Sequence, residues 1–201
     1  MKLLLVGAGG HASVVATLVR DAGHEIAIYV ARDEQSRPWL KAARRVAGGD
    51  DDVLGNESLD QLADSFAMGV GGVTPDQLAA RWQMFKRYAA AFARPAPALV
   101  HSTAFAADLN AIGPGAVVMP GAIVNPNATV GAAAIINSGA IVEHDAVVED
   151  GAHVAPGAIV LGGAKVGTHT MIGAGAVILP GAVVASGRLV PALTRYGTKD
   201  S

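Results

Sequence analysis

Three of the six histidines in this 201-residue chain, His144, His153 and His169, lie in a stretch otherwise made of aliphatic, small and turn-forming residues. Glu143, Asp145, Glu149, Asp150 and Lys165 share that stretch. A histidine beside a carboxylate suits general-base chemistry, because the carboxylate fixes the tautomer and raises the basicity of the ring. His144 has Glu143 on one side and Asp145 on the other, and alternation along the chain does not decide which of them faces it. Two other uses compete: a metal centre and a merely solvated polar cluster. The spacings of nine and sixteen residues between His144, His153 and His169 do not set them on one edge at successive repeats, which argues against metal. With no cysteine in the chain, a thiolate nucleophile and a disulfide framework are excluded.

What must position these side chains is a six-residue repeat. From Ile112 to Val190 every sixth residue is Val or Ile, and an alanine follows four positions after each of the first nine of them, from Ala116 to Ala164. Glycine, proline and asparagine concentrate in between, as in Gly113-Pro114-Gly115 and Asn125-Pro126-Asn127. A helix needs apolar residues near every 3.6 positions and tolerates no such prolines, so the period predicts a parallel β-helix, three hexads to a coil. The aliphatics would stack from coil to coil, and glycine and asparagine would take the corners with positive φ. On this register His144 and Gly162, eighteen apart, share one place on adjacent coils, while His153, nine from each, belongs to another wall. One subunit would not join His144 to His153, whereas two packed wall to wall would, so a homotrimer with sites between adjacent subunits is the economical geometry.

The chain ahead of the repeat reads as α/β. Lys2–Val6 is an apolar run, Gly7-Ala8-Gly9-Gly10-His11 a glycine-rich turn, Ala12–Asp21 a candidate helix and Glu25–Val30 a second strand. Gly7-x-Gly9-x-x-Ala12 meets a relaxed dinucleotide fingerprint, with Asp33 at a plausible ribose-binding separation. The loop suits a nucleotide or nucleotide sugar, a nicotinamide cofactor, or no ligand at all. Ala43–Asp52 reads as a surface loop, Ser58 as the cap of a short helix over Leu59–Asp64, and Phe66–Val70 as a third strand. Thr74, Pro75 and Gln77 predict a capping box opening a helix whose apolar stripe is Leu78, Trp82, Phe85, Ala89 and Phe92. Ala98–His101 would be a last strand leading into the coils, with His101 and Ser102 as junction structure, since neighbours on a strand point apart. Pro191–Ser201 reads as a tail that leaves the register.

The expected fold is thus a small Rossmann-like α/β domain over residues 1–103, a parallel β-helix over 104–190 and a tail over 191–201. With 15 Lys+Arg against 17 Asp+Glu there is no polybasic face for nucleic acid, and no run long enough for a membrane span or a signal peptide, so the cytoplasm is the expected location.

Three segments together are specific: Gly7–His11, the run Asn137-Ser138-Gly139-Ala140-Ile141-Val142-Glu143-His144-Asp145, and His153–Ala158 followed by Gly162-Gly163. On these the chain resembles the bacterial sialic-acid O-acetyltransferase and nucleotide-sugar N-acetyltransferase group of hexapeptide-repeat acyltransferases. The resemblance implies a left-handed β-helix, a homotrimer and acetyl-CoA as cosubstrate, with no metal. It implies His144 as general base and Asp145 as its orienting carboxylate. His153 would lie beside the acetyl thioester, the amide of Gly162 would face its carbonyl oxygen, and Asn137 would sit near the acceptor sugar. Gly9, Gly10, His11 and the acidic position at Asp33 would hold the nucleotide. The implied acceptor is the 4-amino group of a UDP-linked, or GDP- or dTDP-linked, 4-amino-4,6-dideoxy sugar, with a sialic-acid hydroxyl as the alternative. Outside this class stand a non-catalytic trimeric scaffold, a nicotinamide enzyme and a nucleotidyltransferase.

Overall fold

The computed structural model describes residues 1–31, 37–40, 42–46, 48–55 and 59–197. The chain forms two compact units, Met1–Gly71 with Gln83–Pro97, and Gly72–Trp82 with the chain from Ala98 onward.

The first unit is built on four parallel strands, β1 (Lys2–Val6), β2 (Glu25–Val30), β3 (Arg44–Val46) and β4 (Ser65–Met68), in the order β3-β2-β1-β4. Central β1 buries Leu3, Leu4 and Leu5 completely, which is why it reads as a continuous apolar run and does not alternate. Helix α1 (Gly10–Asp21) covers the sheet with Ala12, Val15, Ala16, Leu18 and Val19. It ends where Gly23 turns to φ 71° and the N–H groups of Gly23 and His24 return to the carbonyls of Arg20 and Val19. The segment Ala43–Asp52, expected as a loop, instead holds β3 and the start of helix α2 (Asp50–Leu54). Main-chain pairing of Arg44, Arg45 and Val46 with Ile28, Tyr29 and Val30 needs no apolar side chains at a sheet edge, where charge is favoured. A short helix α3 (Leu59–Leu62) precedes β4, and Ser58, its expected cap, lies outside the described residues.

Helix α4 (Pro75–Ala91) opens as the sequence predicts, with the Gln77 N–H donating to Thr74 Oγ1 at 3.3 Å. The Gln77 side chain, however, accepts from the Val73 N–H at 2.9 Å, one residue ahead of a regular capping box. The buried stripe is also different: Leu78, Arg81, Phe85, Tyr88 and Phe92 face inward, Trp82 is half-buried and Ala89 is exposed. Phe85, Tyr88 and Phe92 surround Phe66 at ring-centroid distances of 5.5–5.6 Å, and the tyrosine is accommodated because its hydroxyl donates to Asp50 at 2.9 Å.

The second unit is a three-walled stack of two-residue parallel strands in which every pairing joins residues eighteen apart. The first wall runs from Leu99–Val100 through Val117–Val118, Ile135–Ile136, His153–Val154 and Met171–Ile172 to Leu189–Val190. The second runs from Phe105–Ala106 through Ile141–Val142 to Arg195–Tyr196, and the third from Thr129–Val130 through Val147–Val148 to Val183–Val184. This arrangement is typical of the left-handed β-helix of hexapeptide repeats. The predicted aliphatics and alanines form its continuous buried core. Every sixth residue from Gly115 to Leu193 has positive φ, and where glycine is not used the corner is held by Asn127, Ala133, Asp145, His169 or Leu193. The coil also extends past the expected end: Val177 and Ile178 pair with Arg195 and Tyr196. Tyrosine replaces the aliphatic there, which hides the repeat while the main-chain register continues.

Candidate active site

His144 stands on the corner between the second and third walls. The turn Glu143-His144-Asp145-Ala146 is closed by the Ala146 N–H donating to the Glu143 carbonyl at 3.2 Å, and Asp145 takes the positive φ (60°) of its third position. That conformation brings the adjacent side chains together: His144 Nδ1 lies 2.7 Å from Asp145 Oδ2, with 66% and 56% of the two side chains exposed. With its proton on Nδ1 shared with Asp145, the imidazole presents the lone pair of Nε2. The Asp145 hydrogen bond, aided by the charges of Asp145 and Glu143 and opposed by partial desolvation, holds the His144 pKa above its ordinary value. The same bond, with a second one from Asn127, lowers that of Asp145.

The coils below and above complete the corner. Below, Asn127 Nδ2 donates to Asp145 Oδ1 at 3.1 Å, and Asn125 Nδ2 to Glu143 Oε2 at 2.9 Å. Above, the Gly163 N–H donates to the His144 carbonyl at 3.0 Å. A Cβ on Gly162 would fall 2.8 Å from both Cε1 and Nε2 of His144, so the ring lies over a place only glycine leaves clear. The turn bond of that coil runs from the Ala164 N–H to the Leu161 carbonyl and does not engage the Gly162 N–H.

His153 sits apart, on the first wall, and is 6% exposed. Its Nδ1 lies 2.8 Å from the Gly72 carbonyl, and Asn137 Nδ2 lies 3.0 Å from its Nε2. The proton therefore belongs on Nδ1, and the ring is neutral. Burial, with the nearby Arg81 charge, lowers its pKa, against the Gly72 hydrogen bond. Asn137 is tied down at its other end by the Ser138 N–H, at 2.8 Å. His153 and Asn137, which the resemblance sends to different substrates, are thus hydrogen-bonded to each other. Arg81, unsuspected from sequence, is 1% exposed, donates to the Ala133 carbonyl and has its pKa lowered to about 10 by burial. His169 holds a positive-φ corner with its ring 6.1 Å from that of Trp82. Among the described residues no group of three His, Asp or Glu could hold a metal ion, and no helix is long and apolar enough to cross a membrane.

In the first unit, a cleft of about 320 Å³ opens at the carboxyl ends of β1 and β2. Val6, Gly7, Ala8, Gly9, Val30 and Ala31 line one part, and Gly48, Gly49 and Asp50 another. Such a position, outside the strand ends of a parallel sheet, is where ligands of doubly wound folds bind. Gly7 has φ 99° and its missing Cβ leaves room for Val70. Gly9 caps α1, which begins at Gly10, two residues earlier than expected, with no acidic residue in its first turn. His11 lies on that first turn, half-buried, with its ring against Gly71 and outside the cleft lining. Asp33 lies outside the described residues.

Residues 2–87 match the family model of the PglD N-terminal domain, and residues 145–180 that of the bacterial transferase hexapeptide. No curated protein matches by sequence. Among solved structures, the acetyltransferase domain of PglB from Neisseria gonorrhoeae in complex with acetyl coenzyme A is 28% identical with a TM-score of 0.81, over 96% of this chain and 88% of that one. PerB from Caulobacter crescentus, in complex with CoA and GDP-perosamine, is 25% identical with a TM-score of 0.80, over 98% and 89%. A variant of perosamine N-acetyltransferase from the same organism shares the fold at 24% identity and a TM-score of 0.83, over 98% and 89%.

Proposed function

We propose that this chain, a hexapeptide-repeat protein related to PglB, PglD and perosamine N-acetyltransferase, is an acetyl-CoA-dependent N-acetyltransferase of a nucleotide-linked amino sugar. The observation that carries the reading is the exposed His144, paired with Asp145 and laid over Gly162. Here the acceptor amine attacks the thioester carbonyl while His144 Nε2 removes its proton. Asp145 stabilises the imidazolium that results. The Gly162 N–H supports the charge that develops on the carbonyl oxygen, and as the carbon–sulfur bond breaks the imidazolium gives its proton to the departing sulfur, which releases CoA as the free thiol and restores the base. Direct transfer needs no protein nucleophile, in keeping with a chain that has no cysteine.

The nucleotide is assigned to the cleft of the first unit, where the glycine-rich turn and the N-terminus of α1 favour phosphate. Within the sugar class, the acceptor is the amine of a UDP-linked 4-amino-4,6-dideoxy hexose, with GDP- and dTDP-linked forms next. His153 and Asn137 are assigned to the thioester and sugar sides of the site. Three copies of the chain assemble with their sites between adjacent subunits, in the cytoplasm, where acetyl-CoA and nucleotide sugars are made.

Labelled acetyl-CoA, offered with a panel of nucleotide-linked amino sugars and sialic acid, tests this. The expected product is acetylated amino sugar stable to mild hydroxylamine. A hydroxylamine-labile product on sialic acid would transfer the assignment to O-acetylation, and failure to bind acetyl-CoA would leave the rod as a scaffold.

A further inference from the structure

We propose that Asn127 is a positioning residue for the base: from the coil below, its side-chain amide fixes the Asp145 carboxylate with one oxygen turned to His144. This inference rests on the reading of His144 as general base. Asn127 and Asp145 occupy equivalent corners one coil apart, both at positive φ (62° and 60°), so their side chains leave the rod side by side. The carboxylate is divided between two donors. Asn127 Nδ2 reaches Oδ1 at 3.1 Å, and Nδ1 of His144 reaches Oδ2 at 2.7 Å.

A half-exposed aspartate has a soft terminal torsion, and one partner would leave it free to turn. The second donor selects the orientation in which His144 keeps its acceptor. Asn125 repeats the arrangement on Glu143 at 2.9 Å, so the lower coil supplies an amide to each carboxylate flanking the base. Amide chemistry suits the task. A lysine or arginine at 127 would compete with the imidazolium for Asp145, and an acid would repel the carboxylate. Asparagine also tolerates the positive φ of the corner.

Within one chain, and among the described residues, few groups act on His144. Its own turn contributes Glu143 and Asp145. The coil below presents Asn125, Pro126 and Asn127, and the coil above Leu161, Gly162 and Gly163, none of them charged. Loss of the Asn127 amide therefore reaches His144 through Asp145.

Two variants of the full chain test this. Asn127→Gly keeps a residue suited to the corner and removes the amide. It should lower kcat roughly three- to tenfold, the size of one lost hydrogen bond, and leave KM for acetyl-CoA within about twofold. The acid limb of kcat/KM, and the His144 titration followed by NMR, should move to lower pH, because the imidazolium loses a well-aligned acceptor. Asn127→Asp also accepts positive φ but sets a second carboxylate beside Asp145, and it should move both to higher pH. A purely structural corner would leave the titration alone, so wild-type titration of His144 in both variants overturns the proposal. His144→Gln separates the two readings. Wild-type turnover by that variant would remove the base assignment, while the NMR titrations of the Asn127 variants would still decide the role of Asn127.

Discussion

On the proposed reading of His144 as base, an exposed imidazole needs both its basicity and its direction set, and at this corner different residues do the two jobs. Asp145 sets the basicity by hydrogen bonding at 2.7 Å, while the bare face of Gly162 gives the ring somewhere to lie. His144→Ala should therefore keep the fold and acetyl-CoA binding, seen by calorimetry, and lose turnover by about 10²–10⁴-fold. Gly162→Ala should be nearly as damaging for a steric reason. Gly162 is not at positive φ, so alanine fits the backbone, but its Cβ falls 2.8 Å from the ring and must displace it. A loss in kcat of about 10²-fold with unchanged thermal stability is expected, as for a misplaced catalytic group. The pH profile follows from the direction of the shift. As the proposed base, His144 would act deprotonated, and its raised pKa should place the acid limb of kcat/KM above the ordinary imidazole value of about 6.5. In an Asp145→Asn variant, whose side chain carries no charge, that limb should return toward the ordinary value.

Among the elements, α4 shows what periodicity can and cannot read. The interval of three and four was legible, as were Leu78, Phe85 and Phe92, because apolar residues report the inward face directly. Arg81 and Tyr88 complete that face, and they escaped notice because their burial depends on distant partners, the Ala133 carbonyl and Asp50. An arginine is admitted to a core only when its hydrogen bonds are supplied. Arg81→Ala should thus cost about 2–4 kcal/mol in chemical denaturation, from a cavity together with an orphaned carbonyl. The strand β3 was missed for a related reason: its pairing is main-chain chemistry, and its side chains are those of an edge.

For the molecule as a whole, the proposed assembly gives a direct expectation: sedimentation should report three times the 20.2 kDa chain mass. A monomeric, fully active species would remove the assignment of the site to the seam between subunits. The sequence by itself determined the rod, because a period of six with β-branched anchors leaves one way to stack them, and that register set His144 against Gly162. It also determined the strand–turn–helix–strand opening, where apolar runs and glycines are local signals. Residue types and spacing left open which carboxylate hydrogen-bonds His144, and there only the tertiary structure decided, since alternation is lost at a corner and the answer lies in the positive φ of Asp145 and the amide of Asn127 one coil below. It alone joined His153 to Asn137 and to the Gly72 carbonyl, eighty-one residues back along the chain, because hydrogen bonds across such separations leave no period to read.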